Sequence, residues 1–280
     1  MKIAANGIGI NCSLEGPAAA PVVTLSHALA ANLTMWDPQM SALTARYRVL
    51  RYDIRGHGGT DAPAGPYSLE QLAVDARSLL RALGIERTFF IGLSLGSMIG
   101  QLLALTCPEM LRGIILCEAS SRTSPEMQAV WEERIRVAQT RGMEPLVEPT
   151  IDRWFTAPFQ ERRHDVVDPV RAAIRATPPG GYIGCIRAIQ GLDLTDRQSA
   201  IRLPTLLIVG EEDPASPVAG SEAIHQRIAG SELVILKSAA HLANAEQPEG
   251  FNRAVTAFLE RFGAGERSFG NGARPGGTAP

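Results

Sequence analysis

The chain has 280 residues and a mass of 30.0 kDa; 45% of the residues are hydrophobic, 20% are charged and the mean hydropathy is +0.01. At this size folding removes about 75% of the unfolded chain's surface from water, so a core forms without disulfides or a structural metal. Lysine and arginine number 27 against 29 aspartates and glutamates, a net charge of −2, which leaves no basic excess to neutralise phosphates and excludes nucleic acid as an expected partner.

Short runs rich in Val, Ile and Phe alternate with stretches of helical period, the pattern of a mostly parallel sheet with helical crossovers and so of the α/β class. Asn6-Gly7 stands between two strand-like runs and predicts an opening hairpin within residues 2–14. Strands are predicted at 22–26, 47–53, 88–91 and 111–117. Between the second and third of these, Ser68 is followed three residues later by Gln71, a capping-box signature, and Leu72, Leu79, Leu80 and Leu83 form the apolar face of a helix. Over residues 120–199 helical stretches rich in Arg and Glu are interrupted by Pro145, Pro149, Pro158, Pro169 and Pro178-Pro179, which reads as a helical insertion. The α/β rhythm resumes with a strand at 204–210, a helix at 217–228, a strand at 232–237 and a helix at 248–262. The expected organisation is a core of 1–119 and 200–262 with a helical cap of 120–199. Residues 263–280 are too rich in Gly and Pro to bury apolar surface and are predicted to be a disordered tail. Cys12, Cys107, Cys117 and Cys185 form no CxxC pair, and the N-terminus lacks the apolar segment of a secretion signal, so a cytoplasmic setting is expected. No apolar run approaches the ~18 residues of a membrane span.

Gly92-Leu93-Ser94-Leu95-Gly96 lies between a predicted strand and a helical run, the context that a G-x-S-x-G nucleophile elbow requires. The sharp turn exposes Ser94 at the sheet's C-terminal edge, and the flanking glycines remove side chains that would clash there. A dinucleotide or phosphate loop is excluded by spacing, because Gly92, Gly96 and Gly100 do not make GxGxxG and no GK[ST] follows. A serine hydroxyl needs a base and an orienting carboxylate, in the chain order Ser, acid, His. His241 is the candidate base, since Ser238-Ala239-Ala240-His241-Leu242 follows the last strand; His225 falls in a helix and His164 in the insertion. Asp213, after the strand at 204–210, is the candidate acid, with Glu211 and Glu212 as neighbouring competitors and Glu118 as a distant one. The backbone N–H groups of Leu29 and Leu95 are the candidate oxyanion donors. His27, and the turn Asp53-Ile54-Arg55-Gly56-His57-Gly58, read as loop-bracing groups rather than reacting ones.

With these residues in order, the sequence resembles the α/β-hydrolase superfamily over about residues 1–262. Within it, Trp36-Asp37-Pro38-Gln39, Tyr52-Asp53-Ile54-Arg55-Gly56-His57-Gly58, Arg153-Trp154-Phe155-Thr156, Gly181-Tyr182 and Ala240-His241-Leu242 with Glu246-Gln247-Pro248-Glu249 are similar to the 3-oxoadipate enol-lactonase family. The resemblance implies opening of a small carboxylate-bearing enol-lactone, in the catabolism of aromatic compounds, without metal or organic cofactor. There are departures: His27-Ala28-Leu29-Ala30 replaces a family Asn-Ser-Leu-Gly, Ser97 replaces a glycine, and Gln190 stands where the family's cap carries an arginine, with Arg187 about one turn earlier. A neutral amide does not replace a charge-assisted pairing, so the substrate is expected to be this lactone, another lactone or a small apolar ester. Trp36, Trp131, Trp154 and Phe155 either line an apolar pocket or pack the cap. A non-catalytic ligand-binding member of the fold is the reading from a different class. A metal-dependent lactonase lacks its HxHxDH-like cluster here, and haloalkane dehalogenation lacks the aspartate that Ser94 replaces.

Overall fold

The computed structural model describes residues 1–263. Of the predicted tail, Gly263 closes the last helix and the rest lies outside the described residues. Strands β1 (Lys2–Ala5) and β2 (Ile8–Glu15) form the opening hairpin, with Asn6 and Gly7 at φ of 48° and 74°, the left-handed pair that a tight hairpin turn demands. They are followed by β3 (Val22–Ser26), α1 (Asp37–Thr44), β4 (Arg48–Tyr52), α2 (Leu69–Ala82), β5 (Thr88–Leu93), α3 (Leu95–Thr106) and β6 (Leu111–Cys117). Ser68 caps α2 by accepting from the Gln71 N–H at 3.2 Å, and the buried face of α2 holds Leu69, Leu72, Ala76, Leu79 and Leu80. Helix α1 is absent from the sequence prediction: it is only eight residues long, and buries Gln39 and Leu43 alone.

Five helices separate β6 from β7: α4 (Pro125–Arg141), α5 (Val147–Trp154), α6 (Ala157–Arg162), α7 (His164–Ala176) and α8 (Pro179–Gln190). Pro125, Pro158 and Pro179 stand in first turns, where the missing N–H has no intrahelical acceptor to lose, while Pro169 lies inside α7. The chain enters and leaves this segment through a neck in which Thr123 N–H donates to Leu192 and Leu194 N–H donates to Ser121, at 3.0 and 2.8 Å. Then come β7 (Thr205–Gly210), α9 (Val218–Arg227), β8 (Glu232–Leu236), the short α10 (Ala243–Glu246) and α11 (Pro248–Gly263).

The eight strands form one sheet in the order β1-β2-β4-β3-β5-β6-β7-β8, antiparallel from β1 through β4 and parallel from there on. Every residue of β5 and β7 is buried, as expected of central parallel strands covered on both faces. Adjacent strand residues point to opposite faces, and Phe90 meets α3 at Gly100 while Phe89 meets α11 at Gly263, so those helices cover opposite faces. The parallel register pairs Ser26 with Gly92, Leu93 with Cys117, Cys117 with Ile208 and Gly210 with Leu236. The loops that follow β3, β5, β6, β7 and β8 therefore all leave from one edge. No helix among the described residues is long and apolar enough to cross a membrane.

Candidate active site

Ser94 links β5 to α3 at φ 54° and ψ −110°, outside the regions a side-chain-bearing residue prefers. The local packing imposes this conformation. A Cβ on Gly92 would lie 2.1 Å from the Gly96 carbonyl oxygen, and one on Gly96 would lie 2.1 Å from that of Ser26. Only glycine at both places lets α3 start this close to β3 and β5. The Ser94 N–H is tied to the Cys117 carbonyl at 2.9 Å, which fixes the turn to the end of β6. Strain of this kind costs about 1–3 kcal/mol and persists only where the surroundings enforce it.

His241 and Asp213 arrive from the loops after β8 and β7. His241 Nδ1–H donates to Asp213 Oδ2 at 2.8 Å, and both side chains are buried. Asp213 Oδ1 accepts from the Ala215 and Ser216 N–H groups at 2.7 and 3.0 Å. Burial opposes ionisation of Asp213, but the His241 charge and hydrogen bond, a hydrogen bond from Glu118 and the Ser216 N–H outweigh it and hold the carboxyl below its ordinary range. Trp154 stacks on the imidazole with ring centroids 6.2 Å apart, and its carbonyl accepts from Leu242 N–H at 3.0 Å. Glu211 instead pairs with exposed Lys237. His164 begins α7 at the surface, and His225 Nδ1 bonds Ser231 Oγ at 2.8 Å; neither lines the Ser94 cavity.

The loop after β3 is braced by two buried imidazoles. His27 Nδ1–H donates to the Ala28 carbonyl at 2.7 Å while Nε2 accepts from Ile54 N–H at 2.9 Å. His57 Nε2 accepts from Ala30 N–H at 2.9 Å. Burial lowers both pKa values, that of His57 to about 3 with the charge of His27 contributing, so both rings are neutral at pH 7 and each keeps one acceptor nitrogen. With Ala30 N–H thus occupied, Leu29 N–H has no acceptor among the described residues. Leu95, the first residue of α3, has no intrahelical acceptor for its own N–H. These are the two donors expected from the sequence.

Ser94, His241 and Leu29 line a cavity of about 700 Å³, partly open to solvent, whose other wall comes from the inserted helices through Met127, Trp131, Trp154, Tyr182 and Ile189. Trp131 and Trp154 thus line the same cavity as Ser94. Trp36 does not: it is fully buried against Phe251, with centroids 6.1 Å apart, because the start of α1 packs on α11. Phe155 stacks on Phe159 in the core. Arg187 and Gln190 do not line the cavity either. Both lie on the outer surface, Arg187 bonding Glu132 and the Gln190 side chain, and Gln190 Nε2 donating to Glu132 at 2.9 Å. Helix α8 is docked through Gly181 and Gly184, where a Cβ would meet the Gly56 carbonyl at 2.1 Å and the Tyr67 ring at 2.6 Å. At about 3.6 residues per turn this rotation sends Tyr182 and Ile189 to the cavity and Arg187 to the far flank.

The cations that do line the cavity are Arg122, Arg134 and Arg153. Arg134 donates to Thr150 Oγ1 and Tyr182 Oη, each at 3.2 Å, and lies over the Trp131 ring. Half-buried Arg153 has no acidic partner among the described residues; burial and the charge of Arg134 lower its pKa, the mark of an uncompensated positive charge. Two further groups escaped the sequence reading as parts of the site. Glu246 accepts from Thr156 N–H and Oγ1 at 2.9 and 2.8 Å and from Ala240 N–H at 2.5 Å, tying the His241 loop to the inserted helices. Glu118, which the sequence offered as a distant competitor to Asp213, is fully buried beside it. Glu118, Asp213 and His241 have ligand-type atoms within 4.8 Å of one another. Hydrogen bonds from Gly210, Ala215, Ser216 and His241 engage the two carboxyl groups.

Residues 21–248 match the family described as alpha/beta hydrolase fold. The chain is 34% identical over 260 residues to 3-oxoadipate enol-lactonase 2 of Acinetobacter baylyi, covering 93% of this chain and 96% of that protein. Among solved structures, the enol-lactonase from Burkholderia xenovorans superposes with a TM-score of 0.90 at 37% identity, covering 93% of this chain and all of that one. A hydrolase from Pseudomonas aeruginosa gives 0.89 at 39% identity, covering 92% and 97%.

Proposed function

This chain belongs to the alpha/beta hydrolase fold family, and from that premise we propose that it is a serine hydrolase opening a small lactone ring that carries a carboxylate, with 3-oxoadipate enol-lactone as the first substrate to test. The observation that carries the reading is one cavity lined by Ser94, by His241, which Asp213 holds through a hydrogen bond, and by two arginines, Arg134 and Arg153, that have no acidic partner among the described residues. Hydrolysis of an ester bond needs the first three, and an anionic substrate accounts for the arginines. The relatives named enol-lactonase support the same choice.

In this mechanism His241 takes the Ser94 proton as the serine oxygen attacks the lactone carbonyl, and Asp213 holds the imidazole in the tautomer that leaves Nε2 free to accept it. The Leu29 and Leu95 N–H groups receive the developing oxyanion. Loss of one such donor typically costs about 100-fold to 1000-fold in rate, so the Ala28 and Ala30 departures are tolerated if His57 holds the loop as it does here. Collapse breaks the ring C–O bond as the His241 imidazolium passes its proton to the departing enol oxygen, and leaves an acyl-enzyme; the neutral His241 then deprotonates the water that releases it. Residues 120–199 act as a cap on a core of 1–119 and 200–262, and choose the substrate through Trp131, Trp154 and the arginines. A reducing cytoplasmic setting, with a small molecule rather than nucleic acid as partner, belongs to the same reading; all four cysteines are buried and free.

The test is ultraviolet-monitored hydrolysis of 3-oxoadipate enol-lactone, with Ser94→Ala as blank and a short-chain aryl ester as comparison. Rapid lactone opening that is lost in Ser94→Ala is the expected result. Ester turnover without lactone turnover would move the substrate to the neutral-ester class, and a folded protein active on neither would sink the hydrolase mechanism.

A further inference from the structure

Glu118 is the buried titratable group that this mechanism leaves unused. It follows β6 at φ 49°, is fully buried, and its two carboxyl oxygens face Gly210 N–H at 3.2 and 3.1 Å. An oxygen of Glu118, one of Asp213 and a ring nitrogen of His241 lie within 4.8 Å of one another. Among the described residues no lysine or arginine pairs with Glu118. The titratable groups around it are Asp213 from the loop after β7, His241 from the loop after β8, Glu246 from α10 and its chain neighbour Cys117.

Two carboxyl groups packed together out of water do not both ionise, so the pair holds a proton. Its location follows from the donors. Asp213 receives N–H bonds from Ala215, Ser216 and His241, whereas among the described residues Glu118 receives only that of Gly210. The better-solvated Asp213 keeps the charge and Glu118 keeps the proton. Burial first, then the Asp213 charge, pushes the Glu118 carboxyl well above its ordinary range, in agreement.

We propose that Glu118 is a positioning residue: a permanently neutral carboxylic acid that donates its O–H to Asp213, orienting that carboxylate and limiting its basicity toward His241. The role rests on the reading that Asp213 and His241 serve Ser94. A donor on Asp213 withdraws charge that would otherwise stabilise the imidazolium, so Glu118 keeps His241 deprotonated, and ready as a base, to lower pH than Asp213 alone would allow.

The decisive experiment is the pH dependence of Ser94 labelling by a fluorophosphonate in wild type, Glu118→Gln and Glu118→Leu, together with infrared spectra of wild type and Glu118→Gln. Glutamine retains a donor for Asp213 and an acceptor for Gly210 N–H, so its acidic limb stays within about 0.3 pH unit of wild type, while the leucine variant's limb rises by about 0.5–1 unit. The protonated-carboxyl C=O stretch is present in wild type and missing from Glu118→Gln. An ionised Glu118 would instead be a negative charge beside His241; both substitutions would then lower the limb, and no acid stretch would be lost. A limb that falls in either variant, a leucine limb that does not rise, or the lack of that stretch overturns the proposal. If Glu118→Leu does not fold, the glutamine limb and the infrared band decide. Failure of folded wild-type Ser94 to label would overturn the catalytic reading itself and with it the role given to Glu118, an outcome distinct from labelling with a misplaced limb.

Discussion

Arg153→Gln separates recognition of a charged substrate from the chemistry at Ser94. Arg153 lines the cavity and lies close enough to Arg134 for the two charges to repel. A unit charge pair about 4 Å apart at an effective dielectric of about 20 is worth ~4 kcal/mol, and desolvation of both groups takes back part of it. Arg134 remains to share the load, so the expected loss is the ~1.5–3 kcal/mol of a charged hydrogen bond, or roughly 10-fold to 150-fold in kcat/KM for the carboxylated lactone. Because the contact is made in the ground state as well as the transition state, most of it appears in KM. A neutral aryl ester makes no such contact, and its kcat/KM should change by less than about 3-fold. Stability gives an independent check. The folded state disfavours the charged form of Arg153, and arginine stays charged at every accessible pH, so removing it should leave the melting temperature unchanged or raise it. Parallel steady-state assays on the two substrates test this directly. Equal losses on lactone and ester would refute the reasoning, since they would mean that Arg153 shapes the cavity rather than reads charge.

Asp213→Asn should leave the fold intact but lower kcat about 10⁴-fold, since an amide does not hold His241 in the working tautomer; titration of active sites with a fluorophosphonate would distinguish slow chemistry from lost protein. Arg187→Ala and Gln190→Ala should change lactone kcat/KM by less than about 2-fold and stability by no more than ~1 kcal/mol, because their contacts with Glu132 lie on the solvent side; a large KM effect would contradict their placement outside the cavity. His57 gives an acid-stability prediction. Its folded pKa is about 3 against an ordinary 6.5, so below pH 6.5 the unfolded chain binds a proton that the native chain refuses, and stability falls as pH drops from 6.5 toward 3. At pH 4.5 the loss from this group is about 2–3 kcal/mol. Urea denaturation at pH 7 and 4.5 should show a pH difference smaller by about that amount in His57→Gln, and an undiminished difference would show that other groups control the acid limb.

Sequence by itself determined the parts of this protein that depend on short-range chemistry. Asn6-Gly7 made the hairpin, Ser68 and Gln71 marked the start of α2, and the buried β5 and β7 were visible as unbroken apolar runs. Gly92 and Gly96 around Ser94 announced the elbow, because a turn that tight excludes any Cβ. Asp213 and His241 were legible for a topological reason: parallel strands finish at a common edge, so residues just past β5, β7 and β8 converge whatever the details of packing. The tertiary structure alone decided which faces of the inserted helices meet the cavity. Arg187 and Gln190 sit one turn apart on α8, and nothing local distinguishes a cavity-facing from a solvent-facing arginine; the docking of Gly181 on Gly56 and Gly184 on Tyr67 turned them outward and left the charge to Arg122, Arg134 and Arg153. Trp36 likewise became core because α1 lies on α11. Glu118 was only a distant competitor to Asp213 in the sequence; the pairing of β6 with β7 placed it against that residue, about 95 positions away. Turns and strand ends are governed by the backbone's own sterics and read locally, whereas the rotation of a helix and the burial of a carboxyl are set by partners far along the chain.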